Sequence, residues 1–319
     1  MRILNTIGPA FTSEGKKILA GLGEVDYKVP TQAELGRIIG RYDVALIGLG
    51  LNFDKNILSA ATKLKVIATA TTGLDHIDVT TAKEKGIEVL SLRGEDEFLN
   101  TITGTAELAL CLMIELARRT PQAFEAVKRY EWKRDNFKGV SMQGKTLGVV
   151  GLGRLGGMLA RYGEALSMKV LFADPGAKNA KPAWKKVSLE NLLAESDFVS
   201  INVHLLPETE NLFNKQSLGL MKPTAFLINT ARGKIVDEAA VLESLESKKM
   251  AGYATDALAD ELSFEEKGFE KHPLVEYAKT HDNCIIVPHI GGMTIDSRIA
   301  TDVFMAKKLR EYFLQDQTL

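Results

Sequence analysis

The sequence predicts an α/β protein made of two doubly wound parallel-sheet domains. Three observations carry this expectation. The 319 residues are 45% hydrophobic and 25% charged, an ordinary globular balance, and the length suits two domains that each bury a core. Short β-rich runs alternate with amphipathic stretches of helical periodicity, the pattern of a parallel sheet covered by helices on both faces. The alternation is interrupted after residue 100 by one long apolar helix and resumes at Lys145.

In the first series, residues 2–7, 25–29, 43–47, 65–70 and 87–91 read as strands. The helical stretches between them often end in glycine: Gly40 follows Ile38-Ile39, and Gly86 follows Lys83-Glu84-Lys85. A glycine there accepts the left-handed conformation that stops a helix. Asp78 is placed to cap the helix that runs to Lys85. Residues 105–119, dense in Ala, Leu, Met and Glu, form a long helix expected to cross between domains, and Pro121 stops or restarts it. The second series has strands at 146–150, 169–173, 198–203, 225–229, 252–255 and 284–287, and residues 294–313 read as one terminal helix. No short tandem repeat or low-complexity segment is present.

A formal net charge of -1 gives no long-range reason to seek nucleic acid or an anionic membrane. No apolar run is expected to approach the roughly 18 residues of a membrane span. Met1-Arg2-Ile3-Leu4-Asn5 opens like a first strand rather than a signal peptide, so a cytoplasmic location is expected. Cys111 and Cys284 sit in apolar runs and read as buried free thiols in a reducing compartment. No CxxC or Cys/His cluster has metal-ligand spacing, so no metal is expected.

The second series opens on a strand that runs straight into Gly151-Leu152-Gly153-Arg154-Leu155-Gly156. A lone GxGxxG is weak, but here a strand precedes it and a helix follows. Gly151 permits the tight turn, Gly153 lets backbone approach a pyrophosphate, and Gly156 lets helix pack on strand. Free amides at the helix start, from Arg154 and Leu155 onward, then face phosphate charge. Asp174 ends the next strand, 23 positions after Gly151. A carboxylate there hydrogen-bonds ribose hydroxyls and repels a 2′-phosphate, which favours NAD over NADP. Lys178 and Lys181 lie close by and keep NADP open.

Three further segments follow in order: Asn229-Thr230-Ala231-Arg232-Gly233, the acidic stretch from Asp256 to Glu261, and Pro288-His289-Ile290-Gly291-Gly292. With Gly144-Lys145-Thr146-Leu147-Gly148 and the glycine turn, they make the chain resemble the D-isomer-specific 2-hydroxyacid dehydrogenase family over nearly its whole length. The resemblance implies a Rossmann dinucleotide-binding domain, residues 101–290, inserted into a flavodoxin-like substrate domain, residues 1–100 and 291–319. It also implies an active site in the cleft between them, a small 2-hydroxy or 2-oxo acid as substrate, and a homodimer.

Residue by residue, Arg232 matches the family's substrate arginine. A planar guanidinium grips a carboxylate with two parallel hydrogen bonds and favours negative charge growing on a carbonyl oxygen. His289 matches the acid/base, since imidazole alone titrates near neutrality unperturbed. Glu261 is the expected carboxylate partner of His289, raising its pKa, and Asp260 is a competitor for that role. The family's proline after the glutamate is missing here, and the long interval from Glu261 to His289 suggests an extended loop over 264–272, with Glu265-Glu266 in solvent. The resemblance puts Asp256 and Gly291 near the nicotinamide, with Thr230 and Ala231 offering backbone to the cofactor. It makes His204, with Pro207 and Thr209 in the loop after a strand, a wall of the cofactor pocket in preference to a proton carrier. His272 and His281 read as loop residues, and His76 could rim the cleft.

Thr72, Gly73 and Leu74, in Ala70-Thr71-Thr72-Gly73-Leu74-Asp75, resemble the family loop whose amides receive the substrate carboxylate; a plain turn is the alternative. Arg93 stands where many members have Asn-x-Pro-Gly, which suggests an acidic substrate tail or a surface salt bridge. Two other functions share the fold: an NAD-sensing regulatory module acting through protein contacts, and a phosphite-type dehydrogenase. A formate dehydrogenase is disfavoured by Glu261.

Overall fold

Every residue of Val44–Ile47 and Val66–Thr69 is buried in the first sheet of the computed structural model, which describes residues 1–177, 180–264 and 268–316. Lys178 and Glu265-Glu266 lie outside the described residues. The chain divides into two units: Met1–Ile102 with Leu262–Phe269 and Thr294–Leu319, and Thr103–Glu261 with Glu270–Met293.

The first unit carries strands β1 (Arg2–Asn5), β2 (Glu24–Tyr27), β3 (Val44–Ile47), β4 (Val66–Thr69) and β5 (Glu88–Leu90), all parallel, in the order β2-β1-β3-β4-β5. This is the flavodoxin-like order. Ile3, Val44, Leu46, Val66 and Ala68 pack on one face against Phe11, Leu19 and the Met305, Ala306 and Leu309 of helix Ile295–Asp316. Leu4, Ala45, Ile47 and Ile67 pack on the other against Leu35, Ile57, Leu58 and Ala82. Each Val, Leu, Ile, Phe or Met among them contributes about 1.5–3 kcal/mol when fully buried, and a one-residue slip of register would exchange the side chains of the two faces. Asp78 caps helix Val79–Glu84 by accepting the Thr81 N–H, as expected, and Gly86 follows with φ +70°. Gly40 is a correction. It lies inside a 3-10 turn, Ile39–Arg41, without a left-handed φ, and is required because an added Cβ would lie 2.7 Å from the Ala60 carbonyl oxygen.

The second unit carries β6 (Thr146–Val150), β7 (Lys169–Ala173), β8 (Lys185–Lys186), β9 (Phe198–Ile201), β10 (Phe226–Asn229), β11 (Gly252–Thr255) and β12 (Cys284–Ile286). Their order is β12-β11-β10-β9-β6-β7-β8, again all parallel. This is the Rossmann order, extended by one strand at the β12 edge. The chain leaves β6 in one direction for β7 and returns to the other side of β6 for β9. The crevice at the carboxyl ends of β6 and β9 is therefore the topological switch point, where such sheets bind ligands. β8 has no counterpart among the predicted strands, because two lysines show no period.

Of the long helix and the two thiols, one thiol departs from expectation. The segment Asp96–Arg118 is long and apolar enough to cross a membrane by length and composition alone. It is two helices, Asp96–Leu99 and Gly104–Arg118, and the second spends Ala109, Leu112, Met113, Leu116 and Ala117 on the core around Leu147, Val149, Ile228 and Ala254. Arg119, at φ 55°, breaks it, and helix Thr120–Lys128 restarts with Pro121 in its first turn. Cys111 is exposed rather than buried: its apolar neighbours wrap the helix, and the helical turn sends Leu112 and Met113 inward and the thiol out. Cys284 is buried, and burial pushes its thiol up to about 12.

Candidate active site

The three glycines after β6 answer to different demands. Gly151 has φ +87°, and a Cβ on it would lie 2.7 Å from both the Asn202 carbonyl oxygen and Val203 Cγ1 beyond β9. A Cβ on Gly156 would lie 2.0 Å from the Gly151 carbonyl oxygen. Both glycines are thus required by the chain itself. Gly153 is not: its φ of -70° suits any residue, and an added Cβ would meet nothing within 4 Å. Its bare backbone opens onto space at the head of helix Arg154–Ala165, whose first amides lack a side-chain cap. A close backbone approach and amides at a helix start are what a pyrophosphate would need there. Arg154 and Leu155 form the first turn.

Asp174 follows β7 directly. Its Oδ2 accepts the Leu152 N–H at 2.8 Å and its Oδ1 accepts the Gly176 N–H at 2.8 Å, so the carboxylate is fixed beside the glycine turn. Each oxygen keeps a further lone pair. Lys181 is engaged by Glu164 at 2.6 Å and lies over the Trp184 ring.

Arg232, Glu261 and His289 all belong to the second unit and leave from the ends of neighbouring strands. Asn229, fully buried at the end of β10, accepts the Ala231 N–H through Oδ1 and donates through Nδ2 to the Arg232 carbonyl, both at 3.0 Å. That asparagine turn shapes the Thr230–Ala231 corner and presents Arg232, whose Nη1 donates to the Ala231 carbonyl at 2.9 Å. His289 follows β12 with φ 52°, and its N–H donates to the carbonyls of Asp256 at 2.9 Å and Val287 at 3.0 Å. Its Nδ1 is 2.7 Å from Glu261 Oε1. The two side chains are only 27% and 20% exposed. Asp260 points elsewhere: its side chain is 76% exposed and 3.9 Å from Lys234. Geometry therefore chooses Glu261 over Asp260 as the neighbour of His289.

The hydrogen bond that His289 donates to Glu261 holds the His289 pKa above the ordinary 6.5, although burial pulls it down. The charges of Glu261 and Asp256 add to the rise, and the nearby charge of Arg232 opposes it. A carboxylate only accepts, so Nδ1 carries the hydrogen and Nε2 is the atom left to gain or lose a proton. Asp256, almost fully buried after β11, accepts the N–H of Ile290 at 2.6 Å and of Gly291 at 2.9 Å. Burial raises its pKa, and these two amides work against the rise.

In the loop after β9, Thr209 Oγ1 donates to the His204 carbonyl at 2.6 Å and accepts the Leu206 N–H at 2.8 Å, which closes the turn holding the exposed His204 and Pro207. Thr72, Gly73, Leu74 and Arg93 belong to the first unit. There Thr71 Oγ1 donates to the Gly73 carbonyl at 2.7 Å, bracing the turn. Arg93 is exposed and has no ion pair among the described residues. Two histidines depart from expectation. His76 is buried at 2% exposure, with Nε2 3.4 Å from Thr69 Oγ1, because the loop after β4 folds its imidazole back over the sheet. His272 is no plain loop residue: it starts helix Pro273–Ala278 and its Nε2 lies 3.2 Å from Glu238 Oε2. His281 stacks on Tyr277 at the end of that helix. Sequence reasoning missed Glu238 altogether, since a glutamate in a first helical turn has a sufficient local explanation.

Residues 110–291 match the family described as D-isomer specific 2-hydroxyacid dehydrogenase, NAD binding domain. The chain is 36% identical over 306 residues to D-3-phosphoglycerate dehydrogenase of Synechocystis sp., covering 94% of this chain and 52% of that protein. It is 33% identical over 280 residues to hydroxypyruvate reductase of Thermotoga maritima, covering 86% of each. Among solved structures, D-lactate dehydrogenase from Aquifex aeolicus complexed with NAD and lactic acid superposes with a TM-score of 0.86 at 26% identity, over 100% of this chain and 97% of that one. The chain spans about half the length of the D-3-phosphoglycerate dehydrogenases it matches.

Proposed function

Because the chain belongs to the D-isomer-specific 2-hydroxyacid dehydrogenase family, we propose that it interconverts a small D-2-hydroxy acid and its 2-oxo acid with a nicotinamide dinucleotide. The observation that carries this reading is the 2.7 Å contact of His289 Nδ1 with Glu261, within reach of the charge of Arg232. The relatives named hydroxypyruvate reductase and D-3-phosphoglycerate dehydrogenase support a 2-hydroxy acid substrate.

A nicotinamide dinucleotide, once bound, would supply the hydride for reduction of the carbonyl or accept it in oxidation of the alcohol. The protein's residues do the rest. Arg232 grips the substrate carboxylate and polarises the carbonyl oxygen, each charged hydrogen bond contributing roughly 1.5–3 kcal/mol. His289 Nε2 gives its proton to that oxygen during reduction and takes the hydroxyl proton during oxidation. Glu261 holds the imidazole in the tautomer that leaves Nε2 facing outward, and it stabilises the imidazolium. Gly151, Gly153 and Gly156 with the amides of Arg154 and Leu155 would hold the pyrophosphate. Thr230, Ala231, Asp256 and Gly291 would flank the nicotinamide, with His204, Pro207 and Thr209 edging its pocket. Thr72, Gly73, Leu74 and Arg93 are the remaining candidates for substrate contacts.

Asp174 supports NAD in preference to NADP, by hydrogen bonding ribose and repelling a 2′-phosphate. A cytoplasmic homodimer belongs to the same proposal. Exposed Phe124, Val127, Tyr130 and Trp132 on and just after helix Thr120–Lys128 support a covered apolar face, and sedimentation equilibrium tests it.

The test is a panel of 2-oxo acids assayed with NADH and with NADPH. Oxidation of NADH by at least one small 2-oxo acid, yielding the D-hydroxy acid, is expected. Tight NADH binding with no turnover on any of them would overturn the reading and favour the regulatory module.

A further inference from the structure

Glu238 opens helix Glu238–Glu246, but the cap of that helix is Asp237, whose Oδ1 accepts the N–H groups of Ala239 and Ala240. The Glu238 side chain is therefore not needed for capping, and it turns inward to 17% exposure. Its Oε1 accepts the Ala259 N–H at 3.0 Å, and its Oε2 lies 3.2 Å from Nε2 of His272, itself 15% exposed. Burial is the chief influence on the carboxyl and raises its pKa. Burying such a pair is unfavourable unless specific contacts offset it.

The Ala259 amide is half of a peptide that is held from a second side as well. A Cβ on Gly233 would lie 2.1 Å from the Leu258 carbonyl carbon and 2.3 Å from the Ala259 nitrogen, so the Arg232–Gly233 turn rests directly on this peptide. The Glu261 N–H donates to the Leu258 carbonyl at 3.3 Å. One peptide plane thus touches the turn that carries the guanidinium and the turn that carries the carboxylate facing His289.

We propose that Glu238 and His272 are positioning residues: the carboxylate, steadied by the imidazole, clamps the Leu258–Ala259 peptide and so fixes Glu261 opposite His289 and Arg232 beside it. The consequence for turnover rests on the oxidoreductase reading above; the clamp itself does not. Catalytic groups must be held to about 0.5 Å, and a misplacement of about 1 Å can cost a hundredfold in rate.

The full chain is compared as wild type, Glu238→Ala, Glu238→Gln and His272→Phe. Titration of the His289 imidazole is followed by nitrogen NMR, with each histidine assigned by substitution, alongside kcat, KM for NADH and thermal melting. In Glu238→Ala the His289 titration moves to lower pH and kcat falls about tenfold to a hundredfold, while KM for NADH stays within about twofold. Glu238→Gln keeps an oxygen for the Ala259 N–H and restores the titration and most of kcat. His272→Phe falls between Glu238→Gln and Glu238→Ala. A lower melting temperature with an unmoved His289 titration would make the pair merely structural and overturn the proposal. So would a Glu238→Gln variant as impaired as Glu238→Ala. If Glu238→Ala does not fold, an unmoved titration in His272→Phe overturns it equally. A wild type that reduces no 2-oxo acid sinks the oxidoreductase reading alone, because the titrations still decide the clamp.

Discussion

The carbonyl of Asp256 accepts the N–H of His289 at 2.9 Å, while the Asp256 carboxylate accepts the next two amides, those of Ile290 and Gly291. Three consecutive donors after β12 are thus satisfied by one residue after β11. This holds His289 at φ 52°, a conformation that costs a non-glycine residue about 1–2 kcal/mol. Asp256→Ala strands two sheltered amides, at about 1–3 kcal/mol each. Its expected outcome is a loss of stability of about 2–6 kcal/mol, read by urea denaturation, with kcat falling as His289 relaxes. A variant as stable as wild type would show that the loop holds its shape without the carboxylate.

The raised pKa of His289 sets the pH dependence. If His289 delivers the proton as proposed, reduction needs the imidazolium, so its kcat/KM should hold past the ordinary 6.5 and fall as pH rises through the raised value. Oxidation needs neutral imidazole and shows the mirror image. Glu261→Gln removes the largest cause of the rise and moves both limbs to lower pH. In stability, the raised value means the pair contributes fully below about 6.5 and loses its contribution as pH climbs through the folded-state pKa. The stability gap between wild type and His289→Gln should therefore shrink from pH 6 to pH 9, measured by denaturant titration.

The glycine turn separates fold from ligand. Gly153→Ala occupies open space in an allowed conformation, so stability changes by less than about 1 kcal/mol. NADH affinity should nonetheless fall by on the order of tenfold, about 1.4 kcal/mol, in a fluorescence titration. Gly151→Ala and Gly156→Ala meet backbone at 2.7 and 2.0 Å and should lower melting temperature before binding is considered. Unchanged NADH affinity in Gly153→Ala would remove the pyrophosphate from this turn.

Asp174→Asn keeps an acceptor for the Leu152 N–H but drops the charge that repels a 2′-phosphate. The ratio of kcat/KM with NADPH to that with NADH should rise by on the order of tenfold, about 1.4 kcal/mol of discrimination. An unaltered ratio would place cofactor choice elsewhere.

Much of this was legible in the sequence, for identifiable physical reasons. Parallel strands buried on both faces read as apolar runs, so 146–150 and 252–255 were found with the ends they have in the structure. Gly151 and Gly156 of the glycine turn were legible because backbone collisions within the chain require them. His289 and Glu261 were legible as residue types, but choosing Glu261 over Asp260 needed coordinates, since adjacent acids differ in direction and not in chemistry. Cys111 was misjudged because an apolar run says nothing about which helical face each member takes. Gly40 was misjudged because packing on Ala60, not φ, requires it. Glu238 and His272 were invisible as a pair because 34 positions separate them and each has an ordinary local reading.

The decisive measurement is kcat/KM for 2-oxo acid reduction by His289→Gln beside wild type, with NADH binding measured on both. If Nε2 of His289 delivers the proton, kcat/KM falls about 10²–10⁴-fold while NADH affinity is retained. A His289→Gln enzyme that reduces the same acid at the wild-type rate would contradict the assignment of proton transfer to this histidine.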